Sequence, residues 1–208
     1  MKKKSPVVCL TDYRVAIDDV REFLAEAVNR NLSGGSLTRC YDYALLAVYR
    51  AFEQFVLEIC IARINRDPAA FYDTVGVEFG QHITADQCEF LLVGDGYFDF
   101  RGHGGLVDVV RKAAGKDTEM HAVTKVAVHR QAFEILSGLR NYVAHESSQS
   151  WRAARKSMQY WEPNRKNLGS AGSWLKALQG GQTRMERLVI AIDGFCDALH
   201  AAALAAHA

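Results

Sequence analysis

The stretch Arg140-Asn141-Tyr142-Val143-Ala144-His145 places a permanent cation, an amide and the one side chain that titrates near neutral pH within two helical turns. Such a set can break a phosphodiester without a metal ion. The guanidinium clamps the phosphate and neutralises charge that builds on phosphorus, and the imidazole moves a proton on or off oxygen. With 16 arginines and 7 histidines in 208 residues, the bare spacing arises by chance in about one chain of this composition in two. Its weight therefore depends on the element that carries it.

On a helical wheel Ala132, Leu136, Leu139 and Val143 cluster on one side and define a buried face. Asn141 and His145 fall about 160° from the centre of that face, which argues against a core histidine. Four residues apart, they are neighbours on one flank, and the amide is placed to orient the imidazole. Arg140 lies about 140° around the helix from His145, so one regular helix does not join them. Two copies meeting at a two-fold axis would bring the histidine of one chain to the arginine of the other, a composite site in a homodimer.

The motif closes a helix-patterned segment from Met120 to about His145. Upstream, Leu45, Val48, Phe52, Phe55, Val56 and Ile59 recur at spacings of three and four between Tyr41 and Ile64, predicting a core helix. Asp12 to Asn31 is more charged, with Val15, Val20, Phe23, Leu24, Ala27 and Val28 on one side. Ser33-Gly34-Gly35-Ser36 then reads as a tight connection, making antiparallel neighbours of the two helices. Gln182 to the alanine-rich end reads as a closing helix. An irregular insert, about 67–115, holds short helices from Thr84 to Val93 and from Leu106 to Ala114. The glycine-rich run Gly94 to Gly105 lacks G-x-x-x-x-G-K-[ST] and a preceding strand, so it reads as a loop packed by Tyr97, Phe98 and Phe100. Strand signals are poor throughout.

The chain is long enough for one well-buried core, and its 49% hydrophobic and 24% charged residues exclude disordered and fibrous classes. A formal net charge of +1 means that nucleic-acid affinity has to come from a local patch. Five cysteines, Cys9, Cys40, Cys60, Cys88 and Cys196, are odd in number and form no C-x-x-C pair, against a disulfide framework or a cysteine-rich zinc site. After Lys2-Lys3-Lys4 the apolar run spans only Pro6 to Leu10, too short for a signal peptide, and no stretch has the roughly 18 uninterrupted apolar residues of a membrane span. A single domain, 1–208, in the cytoplasm and without a membrane anchor is the expectation.

The segment Leu139 to His145 resembles the R-x4-6-H signature of the HEPN superfamily, including the polar residue after Arg found in its ribonucleases. Tyr49-Arg50-Ala51-Phe52-Glu53, Gly96-Tyr97-Phe98-Asp99-Phe100 and Ser170-Ala171-Gly172-Ser173-Trp174-Leu175 are similar to the RiboL-PSP-HEPN branch in particular. The resemblance implies an all-α, antiparallel helical bundle of HEPN type with an inserted segment, homodimerisation, and cofactor-free, metal-independent endoribonuclease activity, commonly in a toxin or antiviral defence effector held by an antitoxin or defence-system partner. It makes Arg140, Asn141 and His145 the catalytic set. RNA supplies its own nucleophile, the 2′-OH, so the enzyme has only protons and phosphorane charge to manage. One HEPN mode of control modifies a Tyr two residues beyond the motif His; Ser147 stands there and does not support it.

Directly downstream, Arg152, Arg155, Lys156, Arg165 and Lys166 alternate with Trp151, Tyr160 and Trp161. Cations for phosphates and rings for bases are what a single-stranded RNA track uses, with Arg152, Arg155 and Lys156 as its central contacts. The rival reading is a non-catalytic HEPN dimer that binds a nucleotide or a protein, against which the intact Arg140, Asn141 and His145 speak. A metalloenzyme fits poorly, since His121 and His129 are eight apart and no H-E-x-x-H is present.

Overall fold

The computed structural model describes residues 3–76, 83–94, 96, 98–164 and 169–206. Tyr97 of the glycine-rich run and Arg165 and Lys166 of the basic track lie outside them. Of the described residues 78% are helical, as the apolar periodicity predicts. Among the described residues the elements are α1 Pro6–Asn29, α2 Gly34–Arg66, α3 Ala69–Val75, α4 Ala85–Val93, α5 His103–Ala114, α6 Glu119–Lys125, α7 Ala127–His145, α8 Ser148–Met158, α9 Ala171–Leu175, the hairpin β1 Leu178–Gln179 with β2 Gln182–Thr183, and α10 Arg184–Ala205. The chain divides into two compact units, 1–13 with 52–130 and 194–208, and 14–51 with 131–193. The divisions fall inside α1, α2, α7 and α10.

The core of the first unit is aromatic. Phe52 lies 5.9 Å from Phe100 and 5.5 Å from Phe195, and Tyr13 lies 5.5 Å from Phe55. Phe100 is buried and Phe98 meets it edge-on at 5.0 Å, so this part of the glycine-rich run is a packed loop, whereas its last residues, His103, Gly104 and Gly105, expected in the loop, form the first turn of α5. Gly105 is required there, because a Cβ would overlap the Phe100 carbonyl oxygen. Thr84 caps α4 with a reciprocal Thr84–Gln87 box, as the predicted start at Thr84 requires.

The segment expected to run unbroken from Met120 is two helices, with Val126 extended between them. At the break the Val126 N–H closes α6 on Val123 O at 3.3 Å, and two histidines add to the exposed carbonyls: His129 Nδ1 lies 3.1 Å from Val123 O, and His103 Nε2 lies 2.9 Å from Thr124 O. His121 is hydrogen-bonded to Lys116 O. These imidazoles cap backbone, a use that residue spacing does not reveal.

Two further expectations change. α1 starts at Pro6, where a proline is tolerated in the first turn, and its buried stripe is Leu10, Tyr13, Ile17, Val20 and Ala27, with Leu24 half-buried. Val15, Phe23 and Val28, expected on the core side, are exposed. Ser33 accepts the Ser36 N–H at 3.3 Å, so Gly34 and Gly35 form the first turn of α2, and the connection is residues 30–33. In α2 itself Leu45, Val48, Phe52, Phe55, Val56 and Ile59 are all buried, as their spacing predicts.

In the second unit α7 and α8 pack at Gly138, where a Cβ would stand 2.8 Å from Ser157 Oγ and 3.4 Å from Ala154 Cα. Gly180 and Gly181, both at positive φ, make the two-residue turn of the short hairpin. Arg184 is buried at the start of α10, paired with Glu162 and bonded to Trp174 O at 3.2 Å; Trp174 Nε1 donates to the other oxygen of Glu162 at 2.6 Å. By length and hydropathy α10 could cross a membrane. It carries Leu188, Ile192, Phe195 and Leu199 in the core, and Asp193 pairs with Arg21 at 3.0 Å.

Candidate active site

The motif occupies the last turns of α7, where burial gives way to solvent. Ala132, Phe133, Ile135, Leu136 and Leu139 are buried, Arg140 to Val143 are half-buried, and Ala144 and His145 are exposed. Val143 was expected in the core and is half-covered because it lies in the last turns of the helix. His145 is the final residue of α7, and among the described residues its ring has no hydrogen-bond partner.

Arg140 is held on two sides. Its guanidinium carbon lies 4.8 Å from the ring centre of Tyr49 on α2, and its Nη1 donates to Asn141 Oδ1 at 2.8 Å. One expectation is corrected here. The Asn141 amide oxygen is committed to Arg140, one residue away, and does not orient His145, because a long cation can fold back onto its neighbour and the exposed imidazole makes no competing bond. Arg140 is itself half-buried and covers Tyr49, which is only 5% exposed. Arg140 and His145 share no hydrogen bond, and five helical residues set them about 7.5 Å apart along the axis and about 140° around it.

The chain reverses sharply past His145. Glu146 adopts φ 45°, uncommon for a residue with a Cβ, and its N–H donates to Tyr142 O at 2.9 Å. Ser147 then caps α8, accepting the Ser150 N–H at 3.1 Å. α8 thus begins three residues after His145, its N-terminus carrying the positive end of the helix dipole. Position 147, where a modifiable Tyr would stand, is a structural cap.

A third segment borders the end of α7. Tyr142 Oη lies 3.4 Å from Gly169 O, and the Gly172 N–H donates to Asp42 Oδ1 of α2 at 2.6 Å. Burial pushes the Asp42 carboxyl above its ordinary range, the Gly172 bond opposes this, and the Glu146 carboxylate adds to the rise. Tyr49, Asp42, Glu146 and Gly172 are the residues of this neighbourhood to which sequence reasoning assigned no role. Tyr49 and Gly172 stood within stretches similar to the RiboL-PSP-HEPN branch, which was their only signal.

On α8, Arg152 and Lys156 are exposed and Arg155 is half-buried, with its guanidinium 5.4 Å from the Trp151 ring. Spacings of three and four put these cations on one face. The aromatic half of the expected track is largely engaged elsewhere. Trp161 lies 6.0 Å from Trp174 and under the Arg187 guanidinium at 4.8 Å, and the Tyr160 hydroxyl bonds to Glu134. Burial pushes the thiols of Cys60 and Cys88 up to about 12 and about 11, far from a reactive thiolate. Among the described residues no three His, Cys, Asp or Glu side chains gather as metal ligands.

Fold and site together define an all-helical protein with an arginine, an amide and an exposed histidine at one helix end, next to a basic helix face. No protein-family model matches the chain, and no curated protein or solved structure matches it.

Proposed function

We propose that this chain is a metal-independent endoribonuclease of HEPN type that works as a homodimer in the cytoplasm, as a toxin or antiviral defence effector under the control of an antitoxin or defence-system partner. The observation that carries the reading is the exposed His145 on the same helix end as an Arg140 already oriented by Tyr49 and Asn141. His145 takes the proton of the ribose 2′-OH as O2′ bonds to phosphorus. The P–O5′ bond breaks, and the 5′-oxygen leaves with a proton delivered by imidazolium, giving 2′,3′-cyclic phosphate and 5′-hydroxyl ends. Arg140 neutralises the phosphorane oxygens at the moment they gain charge. The angle of about 140° between the two side chains on one helix favours a two-fold arrangement in which each chain's His145 serves the other's Arg140. Arg152, Arg155 and Lys156 hold the flanking phosphates.

The test is cleavage of mixed RNA by the purified chain in EDTA, with an oligonucleotide carrying one 2′-deoxy residue as control. Cyclic-phosphate ends and an uncut 2′-deoxy position support the proposal. Cleavage at the 2′-deoxy position excludes 2′-OH attack, and RNA binding without cleavage favours the non-catalytic HEPN dimer.

A further inference from the structure

We infer that Tyr49 is a positioning residue for the Arg140 phosphate clamp and that Asn141 acts with it, through Arg140; this rests on the ribonuclease reading above. A ring face alone leaves a guanidinium free to spin in its plane, and an edge hydrogen bond alone leaves it free to tilt. The Tyr49 ring at 4.8 Å and the Asn141 Oδ1 at 2.8 Å impose one constraint of each kind. Together they fix the plane and direction of a long side chain that otherwise samples many rotamers. One N–H of Arg140 goes to Asn141, and among the described residues the remaining donors have no hydrogen-bond partner, so a bidentate edge is left for a phosphate.

The ring can act in this way because it is set in the packed face of a core helix. Tyr49 is 5% exposed on the long core helix α2, whose neighbouring positions Val48 and Phe52 are fully buried. A cation over a largely desolvated ring is held more strongly than one at an open surface. The contact joins positions 91 residues apart and ties the α2 spine to the end of α7 at the chemical site. His145 takes no part in it, so the clamp separates positioning of the cation from the proton-transfer group.

The experiment compares wild type, Tyr49→Phe, Tyr49→Leu, Asn141→Ala, Arg140→Ala and the double variant Tyr49→Leu/Arg140→Ala. It measures cleavage of an RNA oligonucleotide and affinity for the same oligonucleotide made uncleavable by 2′-deoxy substitution, with melting temperature recorded for each. Tyr49→Leu is expected to lower kcat/KM and weaken affinity roughly 5- to 30-fold, the range of a desolvated cation–π contact. Tyr49→Phe, which keeps the ring face, restores both to within about 3-fold, and the double variant binds no more weakly than Arg140→Ala. The Arg140 Nε–Hε resonance carries a ring-current shift in wild type and Tyr49→Phe that Tyr49→Leu abolishes. Asn141→Ala weakens affinity in the same way, and adding Arg140→Ala to it weakens binding no further than Arg140→Ala alone, a test that holds even if Tyr49→Leu folds poorly. Equal activity in Tyr49→Phe and Tyr49→Leu, or independent losses in the double variant, overturns the clamp while His145-dependent cleavage still stands. Absent cleavage with the binding coupling intact refutes the ribonuclease reading and leaves the clamp in place.

Discussion

Gly172→Ala probes how tightly the 169–175 segment is seated on α2 beside the candidate site. A Cβ built on Gly172 overlaps the Thr38 carbonyl oxygen outright and stands 3.0 Å from Asp42 Cγ and Oδ1. Neither neighbour is a flexible tip: one is backbone, and the other is the carboxylate that accepts the Gly172 N–H at 2.6 Å. Relief needs a shift of about 1 Å, which carries the N–H away from Asp42, so overpacking of about 1–3 kcal/mol exchanges with loss of a charge-assisted bond of about 1.5–3 kcal/mol. Because the shift that relieves one incurs the other, the sum is not taken whole, and about 3 kcal/mol is expected. For a chain of this size that lowers Tm by about 6–12 °C. Gly194→Ala is the control: it lies within α10 with nothing within 4 Å of the added methyl, and should raise Tm by about 1–4 °C, as a helical glycine replaced by alanine does. Thermal melting by circular dichroism decides. If Gly172→Ala melts within about 2 °C of wild type, the segment does not approach α2 as closely as the geometry requires.

Further outcomes follow from other parts of the second unit and from the thiols. The Asp42 carboxyl is raised, by burial and by Glu146, so the fold favours its protonated form; its contribution to stability is fully present below the unfolded value and is lost as pH rises through the folded one. Relative to Asp42→Asn, the wild type should therefore gain Tm as pH falls from about 7 to about 4, and a relative loss in that window would mean that the carboxyl is depressed instead. Ellman's reagent should label Cys40 in the native protein and the buried Cys9, Cys60, Cys88 and Cys196 only after unfolding; rapid reaction of several native thiols would contradict their burial. Neutralising Arg152, Arg155 and Lys156 together should weaken binding to single-stranded RNA and reduce the log–log salt slope by about 2, at about 0.7 for each phosphate no longer neutralised. An unchanged slope removes α8 from the RNA surface.

What could be seen in the sequence was what repeats along one helix. Leu45 to Ile59 and Ala132 to Leu139 show their buried faces because a spacing of three and four is the local signature of a helix against a core. The same rule picks the wrong side of α1 when the stripe is begun at Val15, because Tyr13 and Ile17 carry the face that continues to Val20 and Ala27. The break at Val126 is accompanied by His103 of α5 and His129 of α7 reaching the carbonyls of α6, contacts that spacing within the segment does not reveal. At the site, the end of α7 and its exposed histidine were legible. The partner of Arg140 was not, since Tyr49 meets it only through tertiary packing, and the direction of the Asn141 amide depends on which neighbour wins a hydrogen bond.

The central claim, RNA cleavage by His145, is tested most directly by mapping RNA ends in cells that express either the wild-type chain or His145→Ala. Proton transfer by His145 predicts new 2′,3′-cyclic phosphate ends in the wild-type cells and none above background with His145→Ala at equal protein level. The same ends from both proteins, or no new ends from the wild type, would contradict it.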